Sequence, residues 1–222
     1  MTERKRKGIT LPDYTLSEEL INSISHGFGA ALGIVALVLC AVKSVMSGNV
    51  MAVVCSCIYG SSMIIMYMMS TMYHALKRNR AKKVFRVIDH CSVYFLIAGT
   101  YTPYTLVGLK GALGWVLFGI VWASAAVGIP LNAVSLSKFK VFSMITYIAA
   151  GWVIIIAMKP LIDSIAIEGV MFLLLGGLSY TVGAVLYMVS KKKKLKYGHS
   201  IFHIFVLIGS LLHFFSIYFY VI

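Results

Sequence analysis

The chain has 222 residues, 60% of them hydrophobic and only 12% charged. A soluble domain of this size needs a polar outer shell, and this composition cannot supply one, so the chain sits in lipid. Its net charge of +13 would suggest nucleic acid in a soluble protein. Here the basic residues fall in short runs between apolar stretches, where they set membrane topology, and no nucleic-acid partner is expected.

In chain order, the first feature is a basic N-terminus, Arg4 to Lys7, followed by "DYTLSEELINSISHG". No apolar stretch with a small-residue cleavage site follows closely, so no cleaved signal peptide is expected. The acidic part reads as a short amphipathic helix capped by Thr15 or Ser17, with Glu18 and Glu19 solvated in its first turn.

A membrane-spanning helix takes about 20 mostly apolar residues, and seven stretches qualify: about 23–46, 50–76, 86–107, 112–131, 141–158, 166–190 and 198–221. Long Val, Ile, Leu, Met and Phe runs without period-two alternation favour helices over a barrel. The expected architecture is an all-α membrane protein with a cytoplasmic segment over residues 1–22 and one seven-helix transmembrane domain over 23–222. Connections are too short for a second domain, and no internal repeat of the inverted-transporter kind is found. Pro103 and Pro130 are expected to kink or end their helices. Gly27, Gly29, Gly33, Gly176, Gly177 and Gly183 are expected to let helices pack closely. Cys40, Cys55, Cys57 and Cys91 lie in apolar stretches without zinc-site spacing and read as small core residues. Trp115, Trp122 and Trp152 read as packing and interface anchors.

Counting Lys and Arg between the seven spans gives the orientation. Seventeen lie on the side of the N-terminus and of the loops after spans two, four and six, whereas Lys43, Lys110 and Lys159 lie on the other. The N-terminus is therefore expected in the cytoplasm and the C-terminus outside, in a multi-pass protein of the plasma membrane.

Chemistry-bearing residues cluster at the cytoplasmic ends of three spans. His74 closes the second span, three residues before Lys77; Asp89, the one aspartate inside the spans, follows Arg86; His199 opens the seventh after Lys196, with His203 one turn deeper. At about 1.5 Å per residue each lies within roughly 5 Å of the basic rim, with His203 about 6 Å further in. His199 and His203 are i and i+4, so both rings share a helix face and can meet one metal ion. With His74 they make a three-nitrogen site that leaves a fourth position open, the layout of catalytic zinc. Asp89 is an apt partner for a metal-bound water. Ser70 stands one turn from His74 in the pattern SxxxH. His90 points about 100° away from Asp89 and reads as an interface or supporting residue. His26 could bond a neighbouring helix, and His213, about 15 Å deeper than His203, is too far to join the site.

These residues carry a resemblance. The segments "EELINSISHGFGA", "STMYHAL", "VIDHCSVYFLIAGTYTPY", "GGLSYTVGAVLY" and "HSIFHIFVLIGSLLHFF" resemble the bacterial hemolysin III family, which belongs with the progestin and adipoQ receptors. The wider superfamily includes alkaline ceramidases. The resemblance implies a seven-helix bundle with zinc near the cytoplasmic face, held by His74, His199 and His203, with Asp89 holding the zinc-bound water and Ser70 supporting the site. Three functions are then open. One is a zinc-dependent hydrolase of a lipid amide or ester drawn from the bilayer, with Asp89 and Ser70 as catalytic groups. Another is a receptor-like protein with structural zinc. The third is a cytolysin, which the almost wholly apolar outer halves of the helices disfavour as a pore.

Overall fold

A computed structural model describes residues 11–109 and 111–222. The basic residues Arg4 to Lys7, Lys110 and the question of a signal peptide lie outside the described residues. The described chain is helical almost throughout: α1 (Leu16–Met46), α2 (Val50–Ala75), α3 (Arg80–Pro103), α4 (Gly111–Trp152), α5 (Met158–Ser164), α6 (Ile167–Lys193) and α7 (Gly198–Ser216). π-helical turns extend α3 over Tyr104–Gly108 and α7 over Ile217–Val221, and a 3-10 turn joins α4 to α5.

The polar residues between apolar runs start these helices. Thr15 caps α1 and pairs reciprocally with Glu18 in a capping box, which satisfies two backbone donors that would otherwise be orphaned. Asn49 caps α2 by accepting from the Ala52 amide, and Asn79 caps α3 by accepting from that of Lys82. The "DYTLSEEL" segment is not a separate amphipathic helix. From Leu16 on it is the opening of α1, because nothing between Leu16 and Met46 interrupts helical hydrogen bonding.

Five stretches are long and apolar enough to cross a membrane: Leu16–Met46, Val50–Ala75, Gly111–Ser164, Ile167–Lys193 and Gly198–Val221. The third is longer than one crossing needs. As a straight rod, α4 with its 42 residues would run about 63 Å, twice a bilayer's hydrocarbon thickness of about 30 Å. It does not run straight. Ser135 leaves helical geometry (φ −163°, ψ 100°), and Ser143 donates to Asn132 at 2.6 Å while Asn132 donates to the Tyr147 hydroxyl at 3.0 Å. Residues eleven and fifteen apart cannot touch along one straight helix, so α4 doubles back at Ser135, between the stretches read as spans four and five. The segment α3 falls short on apolarity because Arg80, Lys82, Lys83, Arg86 and Asp89 crowd its first half; its second half, from Ser92 to Pro103, is mostly buried.

The helices close into a bundle, with α1 on α2, α2 on α3, α3 on α4, α6 on α7, and α7 returning to α1. Large apolar side chains such as Phe28, Ile120, Ile156 and Ile204 face outward, whereas Tyr59, Tyr67, Tyr73, Tyr94 and Tyr104 fill the interior. That inversion of the soluble pattern is what lipid as a solvent demands. Close approach relies on glycine where expected at Gly29, Gly33, Gly176 and Gly183, while Gly27 and Gly177 have room for a side chain. As tight are Gly99 against Ser62 and Gly128 against Tyr94, which the sequence reading did not single out. Of the cysteines, Cys40 and Cys55 are core residues, Cys57 is exposed and all four are free thiols.

The half of the bundle away from the lysine-rich end is less apolar than its composition suggested. Ser44 bonds to Ser56 at 2.9 Å, Ser216 donates to the Gly169 carbonyl at 2.7 Å, His213 Nε2 meets the Leu173 carbonyl at 3.1 Å, and Lys43 reaches the Tyr218 carbonyl. These groups satisfy one another between helices, as polar groups in lipid must.

Candidate metal centre

One end of the bundle gathers the C-terminus of α2, the first turns of α1 and α7 and the first half of α3. His74, His199 and His203 come together there, their ligand atoms all within 4.8 Å of one another. His74 and His203 are each 2% exposed. His199 Nε2 lies 3.3 Å from His74 Nε2 and 3.1 Å from His203 Nε2. An imidazole nitrogen has one in-plane site, holding either a proton or a lone pair. Both contacts lean on the single site of His199 Nε2, so at most one well-aligned hydrogen bond forms among the three rings.

A cation resolves this arrangement. Zinc–nitrogen bonds of about 2.0–2.1 Å at a tetrahedral angle place two ligand nitrogens about 3.3 Å apart, close to the two separations seen. An all-imidazole donor set suits zinc and other late divalent metals. Around the cluster, Ser70 Oγ, Asn22 Oδ1 and His199 Nδ1 are buried without a hydrogen-bond partner in the protein, the mark of a site built for more than its own side chains. The three histidines therefore fit a metal ion.

The tautomer of His74 is set by a residue that the sequence reading placed in solvent. Glu19 Oε2 lies 2.7 Å from His74 Nδ1. A carboxylate only accepts, so Nδ1 carries the proton and Nε2 keeps its lone pair for a metal. The other oxygen, Oε1, pairs at 2.7 Å with Lys82, itself 2% exposed and donating further to the Leu76 carbonyl at 2.9 Å. Glu18 is not solvated either. It is buried, and its Oε1 accepts the Tyr197 amide at 2.8 Å, placing negative charge at the N-terminus of α7, where the helix dipole favours it. Tyr197 needs that tether because, with Lys194, it holds a positive φ without being glycine. Glu18, Asn22 and His26 recur every four residues and are all buried; this polar stripe on α1 was the available signal.

Other residues divide around the cluster. Asp89 lies outside the group of converging ligand atoms. Its carboxylate, 14% exposed, sits 3.3 Å from His90 Nδ1 and acts electrostatically on His74 and His26. Ser70 is buried one turn from His74. His26 meets a neighbouring helix, α7, where its ring stacks on His203 with centroids 3.6 Å apart. His213 is far from the cluster in sequence and contact, packed against Tyr104 and Tyr180.

Tyr14 was missed as well. Its ring stacks on His199 at 5.1 Å, nearly parallel to it, and tilts against His74 at 5.8 Å. Burial, with Tyr187 and Tyr73 nearby, holds its phenol protonated far above the ordinary range. The preceding residues are clasped by Arg78, which donates to Asp13 at 2.6 Å and to the Pro12 carbonyl at 3.0 Å. Beside Tyr14, a cavity of about 120 Å³ reaches His199 between Pro12, Glu18 and Tyr187.

An all-helical, lipid-embedded bundle with three histidine nitrogens meeting at one end defines a class: a multi-pass membrane protein with a candidate metal centre. A model described as Haemolysin-III related matches residues 14–214, and the chain belongs to that family. It is 41% identical over 207 residues to Hemolysin-3 of Bacillus cereus, covering 93% of both chains. The Hemolysin-3 homolog of Bacillus subtilis (strain 168) is 41% identical over 93% of this chain and 96% of its own. More distantly, the chain is 25% identical to the monocyte to macrophage differentiation factor of Homo sapiens, over 92% of this chain and 84% of the other. No solved structure matches it.

Proposed function

We propose that the chain crosses the plasma membrane seven times, with its N-terminus in the cytoplasm and its C-terminus outside, and that it is a zinc-dependent hydrolase of a lipid amide or ester. The observation that carries the catalytic reading is the convergence of three histidine Nε2 atoms beside a cavity that reaches His199. The topology rests on the distribution of Lys and Arg and on the reversal of α4 at Ser135.

His74, His199 and His203 would hold the ion. Zinc supplies a Lewis acid that activates water near neutral pH and polarises an amide or ester carbonyl. The residues around it divide the remaining work. Glu19 keeps His74 in its ligand tautomer, and Lys82 keeps Glu19 ionised by neutralising its second oxygen. Asp89, outside the ligand set, takes up a proton at its carboxylate as general base. Ser70 Oγ, buried and without another partner, donates to the oxygen on which negative charge develops. A site at the inner edge of the bilayer suits a substrate with apolar tails and a polar head.

The test is metal content by mass spectrometry on purified protein, followed by a hydrolysis screen over acyl lipids. The expected result is about one zinc per chain, lost in a His74→Ala, His199→Ala, His203→Ala variant of matched fold, with turnover abolished in Asp89→Ala. Metal-free, folded wild type that also resists reloading would sink the mechanism.

A second reading is a receptor-like or membrane-homeostasis protein whose zinc only pins α2 to α7, and Tyr14 stacked over His199 favours it. Zinc retained by both wild type and Asp89→Ala, with no lipid turned over by either, would select it. The printed name of the Bacillus relatives, Hemolysin-3, raises cytolysis as a third. Against a pore stands the pairing of outer-half polar groups with one another.

A further inference from the structure

A second cavity, of about 230 Å³, opens on the same end of the bundle, between the returning arm of α4 and the end of α6. Its lining is Lys140, Lys191 and Lys192 with Tyr187, Met144 and Met188, and no carboxylate. Lysines at a helix end commonly do no more than fix topology. Three features set these apart.

The first is their convergence. Lys140 comes from α4 and Lys191 from α6, and their ammonium groups stand close enough to repel each other, with Arg86 of α3 adding its charge to Lys140 and Tyr187. Like charges from two helices line one cavity, and the ligand that relieves such repulsion is an anion. The second feature is the wall. Met144 and Met188 are apolar, and Met188 is 40% exposed, so the cavity joins a basic side to an apolar one. Its volume is below the roughly 300 Å³ of pockets that enclose whole drug-sized ligands, which suits a head group whose tails stay in the bilayer. The third is continuity. Tyr187 and Lys191 also line the cavity that reaches His199, and Lys191 is tied to Tyr187 by a 3.4 Å contact with its hydroxyl.

We infer that this cavity binds the phosphate head group of an anionic lipid, with Lys140, Lys191 and Lys192 around the phosphate, Tyr187 on one side and the acyl chains leaving past Met144 and Met188. Basic pockets between helices on the cytoplasmic side hold anionic head groups in this manner. The inference does not rest on zinc or on hydrolysis; it concerns which lipid is held next to the histidines.

The experiment is native mass spectrometry of the full chain released from nanodiscs of equal phosphatidylglycerol and phosphatidylcholine. Wild type should retain phosphatidylglycerol in preference. At about tenfold per direct contact of an ammonium group with a phosphate, Lys140→Gln with Lys191→Gln should lower that preference about a hundredfold. Lys193→Gln with Lys194→Gln, equal in charge but outside the cavity, should leave it intact. Equal losses in the two pairs would overturn the site, since they would mark only the general charge of the basic face. Excess inorganic phosphate should leave the lipid bound; its release would overturn the lipid assignment in favour of a soluble phosphate compound. The triple histidine variant should keep the preference, which separates this result from the fate of the metal centre. Loss there with the lysines intact would overturn the placement of the head group.

Discussion

Glu19 shows what one residue contributes when it is read through its partners. Its two oxygens bind a histidine and a buried lysine at 2.7 Å each, so one carboxylate both fixes a tautomer and neutralises a cation that burial would otherwise penalise. Glu19→Gln keeps the shape, loses the charge and no longer compels His74 Nδ1 to donate. The expected result is metal affinity weakened by about 10–100-fold, measured by competition with a chelator, with the helical content unchanged. Unchanged affinity would remove Glu19 from the site. The three histidines were legible in the sequence because HxxxH on one helix is a local pattern, and because distance from the basic rim gave His74 a matching depth. The partner of His74 was not legible. Glu19 is 55 residues away on another helix, and periodicity along α1 says which residues share a face but not which helix that face meets. The same blindness hid Tyr14, which belongs to no helix and is placed by stacking on His199 and tilting against His74.

Among the helices, the relation of α2 to α3 decides the site, since one carries Ser70 and His74 and the other Asp89. Gly99 sets their spacing: a methyl group there would lie 2.2 Å from Ser62 Oγ and 2.5 Å from its Cβ. Alanine is the better helix former by about 1 kcal/mol, but overpacking a close interface costs about 1–3 kcal/mol, and an overlap this deep with Cβ and Oγ cannot be relieved by a rotamer. Gly99→Ala is therefore expected to lower the melting temperature in detergent, with Ser62→Gly in the same chain recovering part of the loss. A Gly99→Ala protein as stable as wild type would show that α2 and α3 separate freely. The apolar stretches of the sequence marked where the helices lie, including the turn between spans four and five, because bilayer thickness and hydropathy are both readable along one chain. Which glycines bear the tight contacts was only partly readable: a glycine looks the same in sequence at Gly177, where there is room, and at Gly99, where there is none.

For the whole molecule, the two basic-side cavities, the histidine cluster and the lysine-rich helix ends all occupy one end of the bundle, so every functional proposal depends on which side of the membrane that end faces. Seventeen of twenty Lys and Arg residues fall on the side of the N-terminus under a seven-span threading, and anionic lipid on the cytoplasmic leaflet attracts them there. The threading needs two crossings beyond the five apolar stretches, α3 with its charged first half and the second arm of α4 after Ser135. If either failed to cross, everything downstream of it would invert and the C-terminus would share the cytoplasm with the N-terminus. The measurement follows from that parity. In intact cells an epitope appended after Ile222 should be accessible to an external antibody. A cysteine replacing Ser137, at the reversal of α4, should react with an impermeant maleimide only after permeabilisation. Labelling of Ser137→Cys from outside would turn the lysine-rich end outward and place the histidine cluster at the outer leaflet. A hidden C-terminus with the loop still cytoplasmic would leave the cluster's first two helices in place but move His199 and His203 to the wrong end, which contact between His74 and His199 at 3.3 Å does not permit. The geometry of three nitrogens thus constrains the topology as strongly as the charges do: α2 must finish, and α7 must begin, on the same side.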